Sequence, residues 1–96
     1  MNKEECIQAI RKSLPDIQRD YGVTGLTLFG SVARGDNTPE SDIDLLVDMP
    51  PKFHILSALH KYLENLLHTS VDLIRRHSNL SSRFLNEIAR DGITLL

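Results

Sequence analysis

Apolar residues recur at helical spacing through the first fifth of the chain. The positions concerned are Ile7, Ile10, Leu14, Ile17 and Tyr21. Intervals of three and four residues place these side chains on one face of a helix. The pattern predicts an amphipathic helix from about Lys3 to Tyr21, and Gly22 is a suitable residue to end it. Pro15 lies inside this pattern and should kink the helix or divide it into two.

Four short apolar runs, rich in residues that favour strands, alternate with the helical patterns. They cover residues 26–29, 42–48, 70–74 and 93–96. Residues 32–35 read as a short turn or the start of a helix. Residues 36–41 are polar, contain a proline and read as a loop.

Two more helices are predicted in the second half of the chain. The first contains the apolar positions Ile55, Leu59, Tyr62, Leu63, Leu66 and Leu67, and the second contains Phe84, Leu85 and Ile88 and ends at Gly92. The order α-β-β-α-β-α-β indicates an α/β (α+β) fold, a small mixed sheet of about four strands with helices packed on it. The last two strands are candidates for a right-handed crossover unit around the last helix.

Length and composition place the chain among ordinary globular domains. It has 96 residues, of which 41% are hydrophobic and 25% charged, so we expect one compact domain over residues 1–96. The net charge of −2 provides no basic surface, which makes duplex DNA an improbable ligand. One cysteine excludes an intrachain disulfide. No apolar run is long enough to span a membrane, so the expected location is the cytoplasm.

Three aspartates have the spacing of a metal site. Asp42 and Asp44 share one face of the predicted second strand, with Cα atoms ~6.6 Å apart. Asp72 lies between two apolar residues of the next strand. If these strands pair, three carboxylates meet on one face and repel one another. Mg²⁺, in a pair of ions, would neutralise them.

Ten residues separate a glycine-serine pair from the first of these aspartates. Gly30 follows a strand directly, and Ser31 begins the turn or helix after it. Unpaired N–H groups at such a helix start bind phosphate, and glycine allows the close approach. Arg34 is as well suited to bracing the loop as to binding a phosphate. We therefore predict a nucleotide site at Gly30, Ser31 and Arg34.

The combination of these motifs resembles the DNA polymerase beta-like nucleotidyltransferase superfamily. Residues 29–35 together with residues 41–47 are similar to its shortest branch, the minimal nucleotidyltransferases or MntA-like proteins. The resemblance covers nearly the whole chain, with Asp72 on the strand of the third carboxylate. It implies that Gly30 and Ser31 hold the triphosphate of ATP. It also implies that Asp42 and Asp44 ligate two Mg²⁺ ions, with Asp72 as a further metal ligand or base.

The same resemblance suggests a biological role. Members of this branch pair with a HEPN-domain toxin, and the active ones transfer AMP from ATP to a tyrosine of that toxin. The chain would then be a protein adenylyltransferase and the antitoxin of a type VII toxin–antitoxin module, in a hetero-complex or as a homo-oligomer. A catalytically idle antitoxin that neutralises its partner by occlusion is the alternative. Transfer to a small molecule or an RNA 3′ end is a third, weaker hypothesis.

The remaining notable residues receive structural interpretations. Asp48 lies on the face of Asp42 and Asp44 and is expected to be solvated at the strand end. The basic residues 75–77 are expected to form a solvated loop. Cys6 is expected to be a small core residue of the first helix.

Overall fold

A four-stranded mixed sheet carries helices on both of its faces, as seen in a computed structural model that describes residues 1–96. The elements in chain order are α1 (Lys3–Tyr21), β1 (Gly25–Phe29), α2 (Gly30–Arg34), β2 (Ile43–Asp48), α3 (Phe53–Leu67), β3 (Val71–Arg75), α4 (Ser82–Asp91) and β4 (Ile93–Thr94). The predicted fold class is confirmed. None of the helices combines the length and the apolar character needed to cross a membrane.

The strand order is β3-β2-β1-β4. β1 pairs antiparallel with both β2 and β4, whereas β2 and β3 are parallel and are joined through α3. The predicted crossover between the last two strands is present: β3 and β4 are parallel strands of one sheet joined through α4, although β2 and β1 lie between them. The C-terminal residues pair with the second edge of β1. Leu95 N–H donates to the carbonyl of Leu26 at 2.8 Å, and Leu26 N–H donates to the carbonyl of Leu96 at 3.2 Å.

The two faces of the sheet carry different kinds of residue. Alternate residues such as Leu28 and Leu45 are fully buried in the main core, which includes side chains of α1 and α3. The intervening positions, among them Asp44 and Leu46, point to the opposite face. There Leu46 and Ile88 of α4 are both buried outside the main core cluster. One face thus supplies stability, and the other carries the aspartates.

Helix α1 has the predicted bounds and is not divided by its proline. Asn2 caps it, since Glu5 N–H donates to the Asn2 side chain at 2.8 Å and Asn2 N–H donates to the Glu5 carboxylate at 3.1 Å. Gly22 ends it with φ 67°. Pro15 is exposed, while Ile10 and Ile17 on either side of it are fully buried. Packing on both sides of the proline holds the helix together, and water can solvate the carbonyl that loses its hydrogen bond.

The other predicted elements are present with boundaries that differ by one or two residues. β2 begins at Ile43, so Asp42 lies just before the strand. β4 contains only Ile93 and Thr94, because the two residues after it both donate to the single carbonyl of Leu26. The predicted turn after β1 is the short helix α2.

The predicted core position of Cys6 is confirmed and has a chemical consequence. Its side chain is 0% exposed, and burial raises the pKa of the thiol to about 11. We expect no reaction with a thiol reagent at pH 8 in the folded chain, since roughly one thiol in a thousand is ionised and none is accessible. Absorbance with a disulfide reagent measures this. The control, Gln8→Cys in a Cys6→Ala background, places a thiol at an exposed position of α1 and should react at once; equally fast reaction of the natural Cys6 would contradict the assignment.

Candidate functional site

The end of β1 brings the Gly-Ser pair against the first half of β2. Phe29 pairs with Asp44, so Gly30, the next residue, lies beside that carboxylate. Gly30 has φ 76°. A Cβ atom on Gly30 would collide with the Asp44 carboxylate, with the Asp44 Cγ only 3.0 Å away. Position 30 therefore requires glycine for two reasons, the left-handed backbone conformation and the close approach to Asp44.

Helix α2 follows immediately and presents its first turn to this region. Its N-terminal flanking residue, Phe29, provides no side-chain cap, so the first N–H groups remain available for an anion. Gly35 ends the helix with φ 80° and donates to the carbonyl of Ser31 at 2.9 Å. The structure places Gly30 and Ser31 together at the helix start, as the sequence predicted.

Asp44 and Asp72 are direct neighbours across the parallel pair of β2 and β3. Strands at this spacing hold paired Cα atoms about 4.8 Å apart with side chains on the same face. Asp42 precedes β2 and is exposed, as is Asp72, whereas Asp44 is half-buried. The structure thus brings Asp44 and Asp72 side by side, and Asp42 adjoins them from the loop.

The pKa of the Asp44 carboxyl is raised above its ordinary value, first by burial and then by the negative charges of Asp72 and Asp42. The Arg34 guanidinium opposes this shift. No hydrogen bond contributes to it. The charges of Asp42, Asp72 and Arg34 therefore all act on the Asp44 carboxyl near the end of β1.

The donor set suits a hard divalent cation. Carboxylate oxygens are the ligands that Mg²⁺ prefers, and a cation between them would relieve the repulsion that raises the pKa of Asp44. The side chains do not gather into a group of three or more ligands at metal-binding distances in this conformation. The assignment of Asp42, Asp44 and Asp72 as metal ligands is therefore a proposal.

The sequence left open whether Arg34 braces the loop or binds a phosphate, and the structure shows a bracing contact. Its Nε lies 3.2 Å from Asp36 Oδ2, and both side chains are about half exposed, so it braces the loop after α2. Arg34 also lines a cleft of about 240 Å³ together with Gly30. A position beside Gly30 is compatible with a contact to a bound phosphate as well.

Helix α4 forms the far wall of this cleft, which sequence reasoning missed. Phe84 packs edge-to-face on Phe29, with ring centroids 5.6 Å apart and an interplanar angle of 89°. Arg90 also lines the cleft. The sequence held no signal for this, because α4 lies about fifty residues from Gly30 along the chain.

The solvated loop predicted for residues 75–77 is wrong for the two arginines, of which Arg75 is the last residue of β3. Arg76 Nε donates to Asp48 Oδ1 at 2.8 Å, and Arg75 Nε donates to the carbonyl of Met49 at 2.8 Å. Both arginines tie the end of β3 to the end of β2. Asp48 is therefore part of an ion pair rather than simply solvated at the strand end.

Comparisons with known proteins agree with this geometry. Residues 8–93 match the family model described as nucleotidyltransferase domain. The protein adenylyltransferase MntA of Thermococcus cleftensis is 32% identical over 94% of this chain and 92% of its own length. A structure described as a candidate minimal nucleotidyltransferase superposes with a TM-score of 0.78 at 30% identity, covering 97% of this chain and 95% of that one. A mutant of the toxin–antitoxin pair MntA–HepT gives a TM-score of 0.64 at 26% identity, covering 100% and 72%.

The requirement for glycine at position 30 is testable with a matched control. Gly30→Ala should destabilise the fold by ~2–4 kcal/mol, because backbone strain adds to a collision with Asp44. Gly35→Ala has a similar φ of 80° but open space around the new Cβ, so only the strain of ~1–2 kcal/mol should remain. Urea unfolding of both variants measures the difference, and equal losses would show that the collision is relieved at no cost.

The raised pKa of Asp44 predicts that its charge destabilises the metal-free fold. When the pKa of a carboxyl is higher in the folded chain than in the unfolded chain, its ionisation destabilises the fold. The protein therefore loses stability as pH rises through the folded-state pKa. Asp44→Asn removes that loss, so the variant should melt above the wild type at pH 7 and close to it at pH 3. Thermal unfolding in EDTA measures both, with Glu40→Gln as an exposed control. A lower melting temperature for Asp44→Asn at pH 7 would contradict the electrostatic interpretation.

Proposed function

The chain belongs to the nucleotidyltransferase domain family, and we propose that it transfers AMP from ATP to a tyrosine hydroxyl of a HEPN-domain toxin. In this proposal it is the antitoxin of a type VII toxin–antitoxin module and acts in a hetero-complex with its partner. The observation that carries the enzymatic part is the placement of Asp44 beside both Asp72 and Gly30. The names of the MntA relative and of the MntA–HepT pair support the acceptor and the partner.

In this proposal the end of β1 and the start of α2 bind the nucleotide. The N–H groups of Gly30 and Ser31 would donate to the triphosphate, since glycine lets the phosphates approach the main chain. Arg34, on the same cleft, would add a charge-assisted hydrogen bond while keeping its bracing contact with Asp36. These contacts orient the α-phosphate toward the aspartates.

The three aspartates would hold Mg²⁺, which stabilises the charge that develops on the phosphates. The acceptor oxygen forms a bond to the α-phosphorus, and the bond from that phosphorus to the oxygen bridging to the β-phosphate breaks. Pyrophosphate leaves with the electron pair of that bond. Asp72 holds the acceptor hydroxyl and receives its proton. The products are an AMP-modified tyrosine and pyrophosphate.

Transfer of label tests this function. The chain, Mg²⁺, a HEPN-domain partner and ATP labelled at the α-phosphate should give a labelled partner. Asp42→Asn combined with Asp44→Asn should lower the rate by more than about a hundredfold, because the charge that holds the metal is lost. Glu40→Gln, at an exposed acid in the loop before β2, should leave the rate unchanged. EDTA should abolish labelling.

The same double variant separates catalysis from occlusion. If it no longer protects cells from the HEPN toxin while still binding the toxin, AMP transfer is the neutralising step. Full protection by the double variant would instead support the catalytically idle antitoxin. A folded partner that acquires no label from the wild-type chain would reject the transferase proposal.

A further inference from the structure

The outer edge of the sheet at β3 has main-chain groups that face away from β2. β3 is an edge strand, and on its inner side the N–H of Arg76 donates to the carbonyl of Val47 at 2.8 Å. Main-chain groups alternate in direction along a strand. The N–H and carbonyl groups of Val71, Leu73 and Arg75 therefore point to the outer side.

Helix α3 closes this edge at one residue only. The N–H of Val71 donates to the Glu64 carboxylate at 3.0 Å, and its carbonyl bonds to His60 Nε2 at 2.6 Å. No side chain of the protein makes such bonds to the main chain of Leu73 or Arg75. Two N–H groups and two carbonyl groups thus remain unpaired on a partly exposed strand, which is a template for pairing with another strand.

The sequence of β3 is suited to pairing with a second copy of itself. Two copies related by a two-fold axis pair antiparallel. When the axis passes Ile74, Leu73 lies opposite the partner's Arg75 and Arg75 lies opposite the partner's Leu73, so all of the unpaired groups form hydrogen bonds. An axis at Leu73 would set Arg75 against the partner's Val71, whose groups are already bonded. An axis at Arg75 would place two like charges opposite each other.

The side chains of the Ile74-centred register complement one another. The partly exposed Ile74 meets the same residue of the partner, and the exposed Asp72 lies opposite the partner's Arg76. Apolar pairs and pairs of opposite charge both stabilise antiparallel strands. Arg76 also donates to Asp48 at 2.8 Å, and its five N–H groups are sufficient for both carboxylates.

An exposed aromatic ring extends the surface beyond the strand. Phe53, in the first turn of α3, is 81% exposed. Together with Leu56 and Leu73 it lines a cavity of about 270 Å³ between α3 and β3. A two-fold axis perpendicular to the sheet keeps the α3 helices of both copies on the same face. The second copy therefore covers this apolar surface as well as the strand edge.

We propose that β3 is the dimerisation surface of the protein and that its occupant is β3 of a second copy, paired antiparallel about Ile74. The pairing joins the two four-stranded sheets into one and removes the exposed strand edge on that side. The inference is independent of the proposed AMP transfer, because it depends only on the edge groups and on the side chains of β3.

Disulfide crosslinking tests the register. In a Cys6→Ala background, Ile74→Cys should form a covalent dimer under mild oxidation. The Cα atoms of such a directly opposed pair lie about 4.5 Å apart, within the range of a disulfide. Leu73→Cys is the matched control: its own copy in the partner is a diagonal neighbour about 7–8 Å away and should crosslink poorly. A mixture of Leu73→Cys and Arg75→Cys chains should crosslink well. Non-reducing gels measure all three.

The mass in solution tests the dimer without a new covalent bond. Light scattering after gel filtration should give the wild type twice the mass of one chain. Ile74→Lys should give the mass of one chain with an unchanged circular dichroism spectrum, because two ammonium groups would face each other across the axis. Gln8→Lys, at an exposed position of α1, adds the same charge elsewhere and should remain a dimer.

Three results would overturn the inference. A wild-type chain that keeps the mass of a single chain at about 0.5 mM would show that the edge does not pair with itself at a meaningful affinity. A folded Ile74→Lys chain that stays dimeric would place the contact on another surface. Leu73→Cys that crosslinks as fast as Ile74→Cys would mean that the strands do not meet in the Ile74-centred register.

Discussion

The structure depends on holding like charges together where β2 begins, beside the edge strand β3. The parallel register of β2 and β3 sets Asp44 directly beside Asp72, and Asp42 adds a third negative charge from the preceding loop. Burial and these neighbours raise the pKa of Asp44, and only Arg34 acts in the opposite direction. Such an arrangement costs stability unless a cation compensates it, so a favourable core must maintain it.

The core provides that support from the opposite face of the same strands. Leu45 lies next to Asp44 in sequence and is fully buried, and Leu28, its partner on β1, is fully buried too. A one-residue slip in the pairing would expose these leucines and bury the aspartates, which makes the register strongly determined. The apolar face of each strand thus fixes the position of the charged face, and Gly30 leaves the space that this position requires.

The cleft beside the acidic cluster is lined by charges of both signs. Arg34 and Arg90 line it together with Glu87 and Asp91. Each arginine has an aspartate partner, Asp36 for Arg34 and Asp91 for Arg90. In the proposed function the triphosphate would therefore take its first hydrogen bonds from main-chain N–H groups at Gly30 and Ser31, and it would share the arginines with these carboxylates.

The sequence alone determined the elements and the chemistry that each carries. Helical spacing gave α1 within its observed bounds, and strand alternation placed Asp44 and Asp72 on charged faces, because both depend on local geometry. Pairing was decided by tertiary structure: β4 joined β1 because that edge was free, and α4 covered Gly30 through the contact of Phe84 with Phe29. The ion pair of Arg76 with Asp48 likewise brings distant segments together, and such contacts leave no periodic trace in the sequence.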